Sequence, residues 1–300
     1  MRLLLLFNSR AAAGRSGKLL ARIAGRIRRF AELDIVQSAG AEEACRQVAR
    51  TDLSRYDGVV AAGGDGTLFA ALNGLYRHPA ARRPPLGVIP TGTGNAFARD
   101  LGLQPGDWRK AVGIIEAGGL RALDVGQVQT ADETCFFLNI VGAGLPVDAM
   151  RTARRLKALG RGAYTAAVLW QVLKLKTHRF TLEIDGVDFS GDYVFAEISN
   201  TRYTGTSFLI APQAVPIDGL LDVTLLRPLT RRRLLRLFPT IYTGGHTAYP
   251  EVLSVRGREL RIAAPQGMTL APDGEFRGAT PATIRCLHRD LRFFWPAEQV

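Results

Sequence analysis

The sequence predicts an α/β domain followed by a mainly antiparallel β domain, and three observations carry that prediction. Up to about residue 125, short apolar runs alternate with helix-spaced segments, the pattern of a parallel sheet covered by helices. Two of those runs end in glycine-rich loops, at 63–67 and 91–95. Beyond Asp124, strand-like runs dominate, separated by turn signals such as Asp185-Gly186 and Asp218-Gly219. A length of 300 residues agrees with two domains of roughly 150 residues each. The apolar fraction of 47% supplies well-filled cores and excludes a mainly disordered chain. No stretch approaches the ~20 apolar residues of a spanning helix, so no transmembrane helix is expected.

Residues 3–7 form an apolar run after Arg2, far shorter than the ~7–15-residue apolar core of a signal peptide, and read as a first buried strand. A loop takes residues 8–17. Residues 18–30 show helical spacing, with Leu19, Leu20, Ile23 and Ile27 on one face and Arg22, Arg26 and Arg29 elsewhere. A short strand is expected over 34–37, a helix over 41–50, and a buried strand over 58–62 that runs into Gly63. A helix then covers 68–76, and a strand over 85–90 ends at Thr91. Later strand-like runs are 135–141, 179–184, 193–199, 221–226, 259–263 and 283–287, interrupted by helical stretches at 147–175 and 230–242. No repeat or low-complexity linker occurs. The boundary is drawn at 128, giving domains 1–128 and 129–300, with the C-terminal segment returning to the first.

Lys plus Arg number 39 against 27 Asp plus Glu, a net charge of +12, and only five of the cations are lysine. Such a balance favours anionic partners: nucleotides, nucleic acid or anionic lipid surfaces. No nucleic-acid motif and no stacking-aromatic pattern accompanies it, so nucleic acid is not expected as a partner. Cys45, Cys135 and Cys286 are odd in number and far apart, which fits neither a disulfide framework nor a metal knuckle and points to a reducing, cytoplasmic compartment. His78, His178, His246 and His288 are scattered without zinc spacing.

The chemistry concentrates in the two loops. In open parallel sheets, ligands bind at the carboxyl ends of strands. Glycines let backbone N–H groups approach phosphate, and a following helix adds its positive end. Gly63-Gly64-Asp65-Gly66-Thr67 fits that role but is neither a P-loop nor the G-x-G-x-x-G fingerprint. Read blandly, it is a tight strand-to-helix turn. Asp65 puts a carboxylate where phosphate would sit, which calls for magnesium or a sugar hydroxyl as intermediary. Thr91-Gly92-Thr93-Gly94-Asn95 adds hydroxyls, an amide and backbone donors, with Arg99 one helical turn on, in reach of a phosphate.

GGDGT at 63–67 together with PTGTGNAFAR at 90–99 resembles the diacylglycerol kinase catalytic family of lipid kinases. The resemblance continues in order through Leu123-Asp124-Val125-Gly126, Asn139, Gly142, Gly144, Ala211-Pro212, Asp218-Gly219-Leu220-Leu221-Asp222-Val223, Gly245-His246 and Asp273-Gly274-Glu275, over roughly residues 2–290. GGDGT alone is shared with NAD kinases. The resemblance implies a Rossmann-like α/β nucleotide-binding domain and an antiparallel β-sandwich lipid-substrate domain, NAD kinase/diacylglycerol kinase-like. It implies ATP and Mg2+ as cofactors and phosphoryl transfer to a lipid hydroxyl, of diacylglycerol or a related lipid alcohol. The alternatives are an NAD kinase-like small-molecule kinase and a non-catalytic nucleotide- or lipid-binding regulator.

Residue by residue, the resemblance assigns Asp273 as general base and Asp65 as a second catalytic residue, with Glu275 at nucleotide or metal; which of Asp273 and Glu275 is the base stays open. It assigns nucleotide contacts to Asn8, Ser38, residues 63–67 and 91–95, Arg99 and Asp124, and a separate Mg2+ to Asp218 with the carbonyls of Val215 and Leu220. Read without the family, Asp273-Gly274 and Asp218-Gly219 are ordinary hairpin turns. The chain departs from the family pattern at Ser9, Ala12, Ala96 and Ile217, and Ile217 replaces an acid beside the Asp218 site. Residues 231–233 and Arg236 among Leu234, Leu235, Leu237 and Phe238, and a second basic stretch of Arg151, Arg154, Arg155, Lys157 and Arg161, read either as solvated helix faces or as contacts to anionic membrane. The expected setting is cytoplasmic and peripheral at the inner membrane surface, with an exposed sheet edge that would support a homodimer.

Overall fold

The computed structural model describes residues 1–9, 16–92, 94–156, 163–205, 207–265 and 267–297. The chain forms two compact units, Met1–Leu123 with Arg289–Val300, and Asp124–His288.

The first unit runs β1 (Arg2–Asn8), α1 (Ser16–Ile27), β2 (Glu32–Ser38), α2 (Ala41–Arg50), β3 (Gly58–Gly63), α3 (Asp65–Leu75), β4 (Leu86–Pro90), α4 (Ala96–Asp100), α5 (Trp108–Ala117) and the start of β5 (Leu120–Thr130). Its strands lie in the order β4-β3-β1-β2, all parallel, with Leu5 opposite both Val60 and Ile35. A parallel sheet covered on both faces needs near-continuous apolar strands. Leu3, Leu5, Leu6, Val59, Val60, Ala61 and Ala62 are accordingly at 0% exposure. Helix α1 packs with α5, and α2 with α3. The chain moves from β1 to β2 on one side and then returns to β3 on the other, so the strand order reverses at β1 and opens a crevice at its carboxyl end.

The second unit holds the rest of β5, then β6 (Thr134–Phe137), β7 (Ile140–Gly144), α6 (Leu145–Arg155), α7 (Ala163–Leu173), β8 (His178–Ile184), β9 (Val187–Asp188), β10 (Gly191–Tyr193) and β11 (Phe195–Ser199). It continues with β12 (Tyr203–Thr204), β13 (Phe208–Leu209), β14 (Leu221–Leu226), α8 (Arg231–Leu237), β15 (Val252–Gly257), β16 (Glu259–Ala263), β17 (Ala271–Pro272) and β18 (Ala282–Phe294), whose last residues belong to the first unit. One antiparallel sheet is ordered β15-β14-β11-β7-β17, and a second runs β10-β8-β16-β18. Val168, Val172, Phe195, Phe208, Leu226, Leu234, Leu237 and Phe238 share one core beside the first of these sheets.

Several expected elements divide. The run 135–141 breaks into β6 and β7, because the N–H groups of Leu138, Asn139 and Ile140 bond a carboxylate instead of a strand. The run 193–199 splits between two sheets at Val194. The stretch 147–175 is two helices, α6 and α7, and the expected helix at 230–242 tightens after Leu237 into a 3-10 turn, Phe238–Tyr242. The two compact units divide between Leu123 and Asp124, inside β5, the strand that also contains residue 128, and Arg289–Val300 belong to the first unit. Asp185-Gly186 does form the hairpin turn read from sequence, both residues having positive φ.

Helices α2 and α3 meet closely at Gly74, where a Cβ would lie 2.6 Å from Val48 Cβ and 2.8 Å from the Cys45 carbonyl oxygen. Gly25, in α1, has open space around it. Helix propensity alone favours alanine at both by about 1 kcal/mol. Gly25→Ala is therefore expected to raise the thermal midpoint, and Gly74→Ala to lower it with an overpacking cost of about 1–3 kcal/mol. Thermal unfolding of the two variants side by side checks the pair.

Candidate active site

The parallel sheet delivers four strand ends to one place. Asn8 closes β1 and is paired with Ser38 at the end of β2. Ser9 N–H and Ser9 Oγ both donate to the Ser38 carbonyl, at 3.0 and 3.1 Å. Gly63 ends β3 opposite Pro90 of β4. Asn8 Nδ2 donates to Thr67 Oγ1 at 3.4 Å, joining the first strand to the glycine loop. The structure thus brings together Asn8, Ser38, residues 63–67 and the described part of 91–95; Thr93 lies outside the described residues.

The two loops are packed on each other. The N–H groups of Thr91 and Gly92 both donate to the Gly63 carbonyl at 3.0 Å. A Cβ at Gly92 would overlap Gly64 Cα and come within 2.7 Å of its nitrogen, so backbone touches backbone there. Asn95 is left-handed (φ 55°) and donates from Nδ2 to the Gly92 carbonyl at 2.6 Å. Thr67 N–H donates to the Gly64 carbonyl at 2.9 Å and starts α3. The first turn of α3 faces the crevice with the positive end of its dipole, a setting suited to anions.

Asp65 is the carboxylate of this cluster. It opens α3, is half-buried, and accepts the Phe97 N–H at 3.4 Å, so it also anchors the start of α4. Burial raises its proton affinity above the usual carboxylate range, while the backbone donors of Ala96, Phe97 and Asn95 oppose that rise. Arg99 lies on α4, the single helical turn after Asn95, half-buried.

The second unit holds the other carboxylates. Asp273 and Gly274, with φ of 45° and 84°, are the centre of a tight turn closed by Glu275 N–H donating to the Pro272 carbonyl at 2.9 Å. The Asp273 carboxylate accepts Leu138 N–H at 2.9 Å, Asn139 N–H at 2.8 Å and Ile140 N–H at 3.0 Å. Asp273 N–H returns a bond to the Ile140 carbonyl at 2.8 Å. Three backbone N–H donors thus hold this carboxylate in one orientation.

Asp124 is at 0% exposure, with both carboxylate oxygens engaged. Oδ2 accepts Gly219 N–H at 2.6 Å and Oδ1 meets His288 Nδ1 at 2.9 Å, while Asp124 N–H donates to the Pro216 carbonyl at 2.8 Å. Asp124 therefore organises the 215–220 turn. In that turn, Asp218 Oδ1 accepts Leu220 N–H at 3.0 Å and Oδ2 is held by the Arg256 guanidinium, which also reaches Asp222 at 3.3 Å. The Val215 carbonyl accepts Ile217 N–H at 2.8 Å. A divalent cation at Val215, Asp218 and Leu220 would have to displace a guanidinium already neutralising the carboxylate. Asp218 with main-chain carbonyls is an all-oxygen donor set of the kind Mg2+ takes, with Arg256 competing for the carboxylate.

Sequence reasoning missed His288 and Arg256, which become partners only through the sheets. It also missed Glu197, at 4% exposure in β11. A lone acid inside the apolar run 193–199 is the signal that could have found it. His246, read as structuring a loop, is buried with Nε2 3.0 Å from the Ile210 carbonyl.

Gly92→Ala is expected to separate the two loops. It should raise the dissociation constant for a nucleoside triphosphate by about tenfold or more, the equivalent of about 1.4 kcal/mol. Calorimetric titration checks this, alongside Gly25→Ala as the control.

Comparison with known proteins adds the lineage. Residues 2–128 match the family described as diacylglycerol kinase catalytic domain. Residues 139–295 match the YegS C-terminal NAD kinase beta sandwich-like domain. The chain is 33% identical over 269 residues to a diacylglycerol kinase of Mycobacterium tuberculosis, covering 88% of this chain and 85% of that protein. It is 30% identical over 261 residues to a diacylglycerol kinase of Bacillus subtilis, covering 86% and 84%. A crystal structure from Bacillus anthracis str. Sterne superposes with a TM-score of 0.83 at 25% identity, covering 100% of this chain and 98% of that one. With its glycine loops at the strand ends and the Asp273 turn in the second unit, the chain belongs to the diacylglycerol kinase family of lipid kinases.

Proposed function

We propose that this chain transfers the γ-phosphoryl group of ATP, carried with Mg2+, to a hydroxyl of diacylglycerol or a related lipid alcohol. The observation that carries the reading is the convergence of Asn8, Ser38, residues 63–67 and the 91–95 loop at the carboxyl ends of parallel strands. Phosphoryl transfer needs positioning and charge neutralisation more than covalent chemistry from the protein. The loops and the first turn of α3 supply backbone donors for the phosphates. Asp65 is the carboxylate those loops offer, and it would hold the Mg2+ carried with the nucleotide, which would supply charge neutralisation. Asp273, held in place by three backbone N–H groups, takes the proton of the lipid hydroxyl. A loose transition state asks little basicity of that group, so a carboxylate held by three N–H donors suits the role. Glu275, two residues on, contributes to nucleotide or metal.

The same reading includes a membrane-facing surface on the second unit. No helix among the described residues is long and apolar enough to cross a membrane. Helix α7 instead exposes Leu169, Trp170 and Leu173, with Lys174 stacked on Trp170 at 5.4 Å. Helix α8 packs on α7 and exposes Arg231, Arg232, Leu235 and Arg236. Leu234, Leu237 and Phe238 are buried, so the helix is amphipathic as its sequence reads. Arg233 is drawn to Glu251 at 2.7 Å. Exposed apolar residues among basic ones are the composition of an interfacial helix on anionic lipid. Arg151 instead bonds Thr269 Oγ1 at 2.8 Å and pairs with Asp148, while Lys157 and Arg161 lie outside the described residues. The enzyme would work in the cytoplasm at the inner membrane surface, with the open edge of β2 available to a homodimer.

Labelled γ-phosphate transfer from ATP to a panel of lipid alcohols in mixed micelles, with and without Mg2+, tests the reaction. NAD belongs in the panel, because the second unit matches a domain described as NAD kinase beta sandwich-like. A labelled lipid that needs Mg2+ is expected, and labelled NADP in its place would overturn the lipid assignment. Asp273→Asn should lower turnover by about 10²–10⁴-fold while leaving nucleotide affinity intact. Reversing Arg231, Arg232 and Arg236 to glutamate should weaken binding to anionic liposomes at low salt, by about 1 kcal/mol per residue. Unchanged liposome binding would remove the membrane-facing surface from the proposal.

A further inference from the structure

Asn200 follows β11 at 1% exposure, beside Thr201 at 0%. The two residues cover the carbonyl side of the segment whose N–H groups hold Asp273. Asn200 Nδ2 donates to the Leu138 carbonyl at 2.8 Å. Asn200 N–H donates to the Asn139 carbonyl at 2.9 Å, and Thr201 N–H reaches the same oxygen at 3.3 Å. Thr201 Oγ1 donates to Asn139 Oδ1. The second hydrogen of the Asn200 amide goes to the Asp124 carbonyl at 3.0 Å, which ties the side chain back to β5. Both neighbours of that nitrogen are carbonyl oxygens, so the hydrogen bonds themselves fix which end of the amide points there. Asn200 Oδ1 is buried and has no hydrogen-bond partner among the described residues. What the side chain contributes is therefore its two donors.

A peptide group is planar, so fixing its oxygen fixes the direction of its N–H. The Leu138 carbonyl and the Asn139 N–H belong to one such plane, and the Asn139 carbonyl and the Ile140 N–H to the next. Asn200 holds both planes at the oxygen end, the first through its side chain and the second through its backbone. Both planes give their N–H to Asp273 Oδ1, at 2.8 and 3.0 Å. Hydrogen bonds in line through a peptide polarise one another. Leu138 and Asn139 lie between β6 and β7, outside both ladders, so no strand neighbour fixes the first plane. Asp273 Oδ2 takes Leu138 N–H, whose plane begins at Phe137 in β6 and is held by that strand.

We propose that Asn200 is a positioning residue for Asp273: by fixing the 138–139 peptide it sets the orientation of the carboxylate that receives the acceptor's proton. The inference rests on the reading of Asp273 as the base of a lipid kinase. A misplacement of about 1 Å at a reacting group costs about 10²-fold in rate. Asn200 acts through another side chain, so its loss belongs in kcat and not in KM.

The test uses the full chain with Asn200→Asp, Asp273→Asn and the double substitution. Asn200→Asp keeps the size of the side chain, and an aspartate cannot donate to both carbonyls whatever its charge. Phosphate transfer from ATP to a short-chain diacylglycerol is resolved into kcat and KM, and thermal unfolding reports the fold. Asn200→Asp is expected to lower kcat by about 10–10²-fold, with KM for ATP and for the lipid unchanged. The double variant should lose no more than Asp273→Asn alone, because the two side chains act as one unit. Amide NMR supplies a measurement that does not need Asn200→Asp to fold: the carboxamide protons of Asn200 should shift on Asp273→Asn. If lipid is phosphorylated and folded Asn200→Asp keeps the wild-type kcat, the Asn200 assignment is overturned and the kinase reading stands. A loss that multiplies with that of Asp273→Asn, or that falls on KM, overturns the assignment as well. Wild-type turnover in Asp273→Asn removes the base and its positioning residue together. If no lipid is phosphorylated, the kinase reading falls, and a shifted Asn200 carboxamide resonance still upholds the link between the two side chains. An unmoved resonance overturns that link, and it decides the matter where Asn200→Asp does not fold.

Discussion

Three consecutive backbone N–H groups, of Leu138, Asn139 and Ile140, converge on the carboxylate of Asp273. Each would otherwise need a strand partner, since buried backbone donors are rarely left unpaired. Their capture ends β6, starts β7 and sets where β17 can pair, with Pro272 opposite Val141. Asn200 extends the arrangement, its Nδ2 donating to the Leu138 carbonyl at 2.8 Å and the Asp124 carbonyl at 3.0 Å. The architecture of the second unit around its candidate catalytic turn is thus built on an aspartate side chain acting as a backbone acceptor. The group assigned to the chemistry is also the group that fixes its own loop.

Asp124 repeats this logic. A fully buried carboxylate would be costly alone, but Gly219 N–H and the His288 ring satisfy it. The 215–220 turn is held by that aspartate on one side and by the Arg256 guanidinium on the other. Arg256 comes from β15, opposite Asp222 of β14, so a cross-strand pair neutralises the carboxylates of this turn.

Glu197 is the exception to this economy, and its sign is opposite. The unfolded chain ionises this carboxyl above about 4.5, while the folded chain holds the proton to about 8. Stability is therefore full below the lower value and falls as pH rises between the two, by about 1.4 kcal/mol per pH unit. Helices α7 and α8 and this acid belong to the second unit, the glycine loops to the first. The glycine loops, by contrast, serve packing and ligand approach with the same missing Cβ, as Gly92 against Gly64 shows.

The sequence by itself determined the order of the elements in the first unit, the two loops and the family, because each rests on local pattern. Parallel strands announce themselves by continuous apolar runs, and a loop that needs glycine against backbone must spell it out. Local pattern also singles out Asp65 and the Asp185-Gly186 hairpin, whereas Asp273 is singled out only through the family resemblance. Tertiary structure alone decided that the 135–141 run is two strands. It alone brought His288 to Asp124, Arg256 to Asp218 and Glu197 to an apolar cavity. Those pairs join residues 164, 38 and, for the cavity wall, up to some tens of positions apart. Such partners are set by strand register, which depends on which sheet faces are buried rather than on any short stretch of sequence.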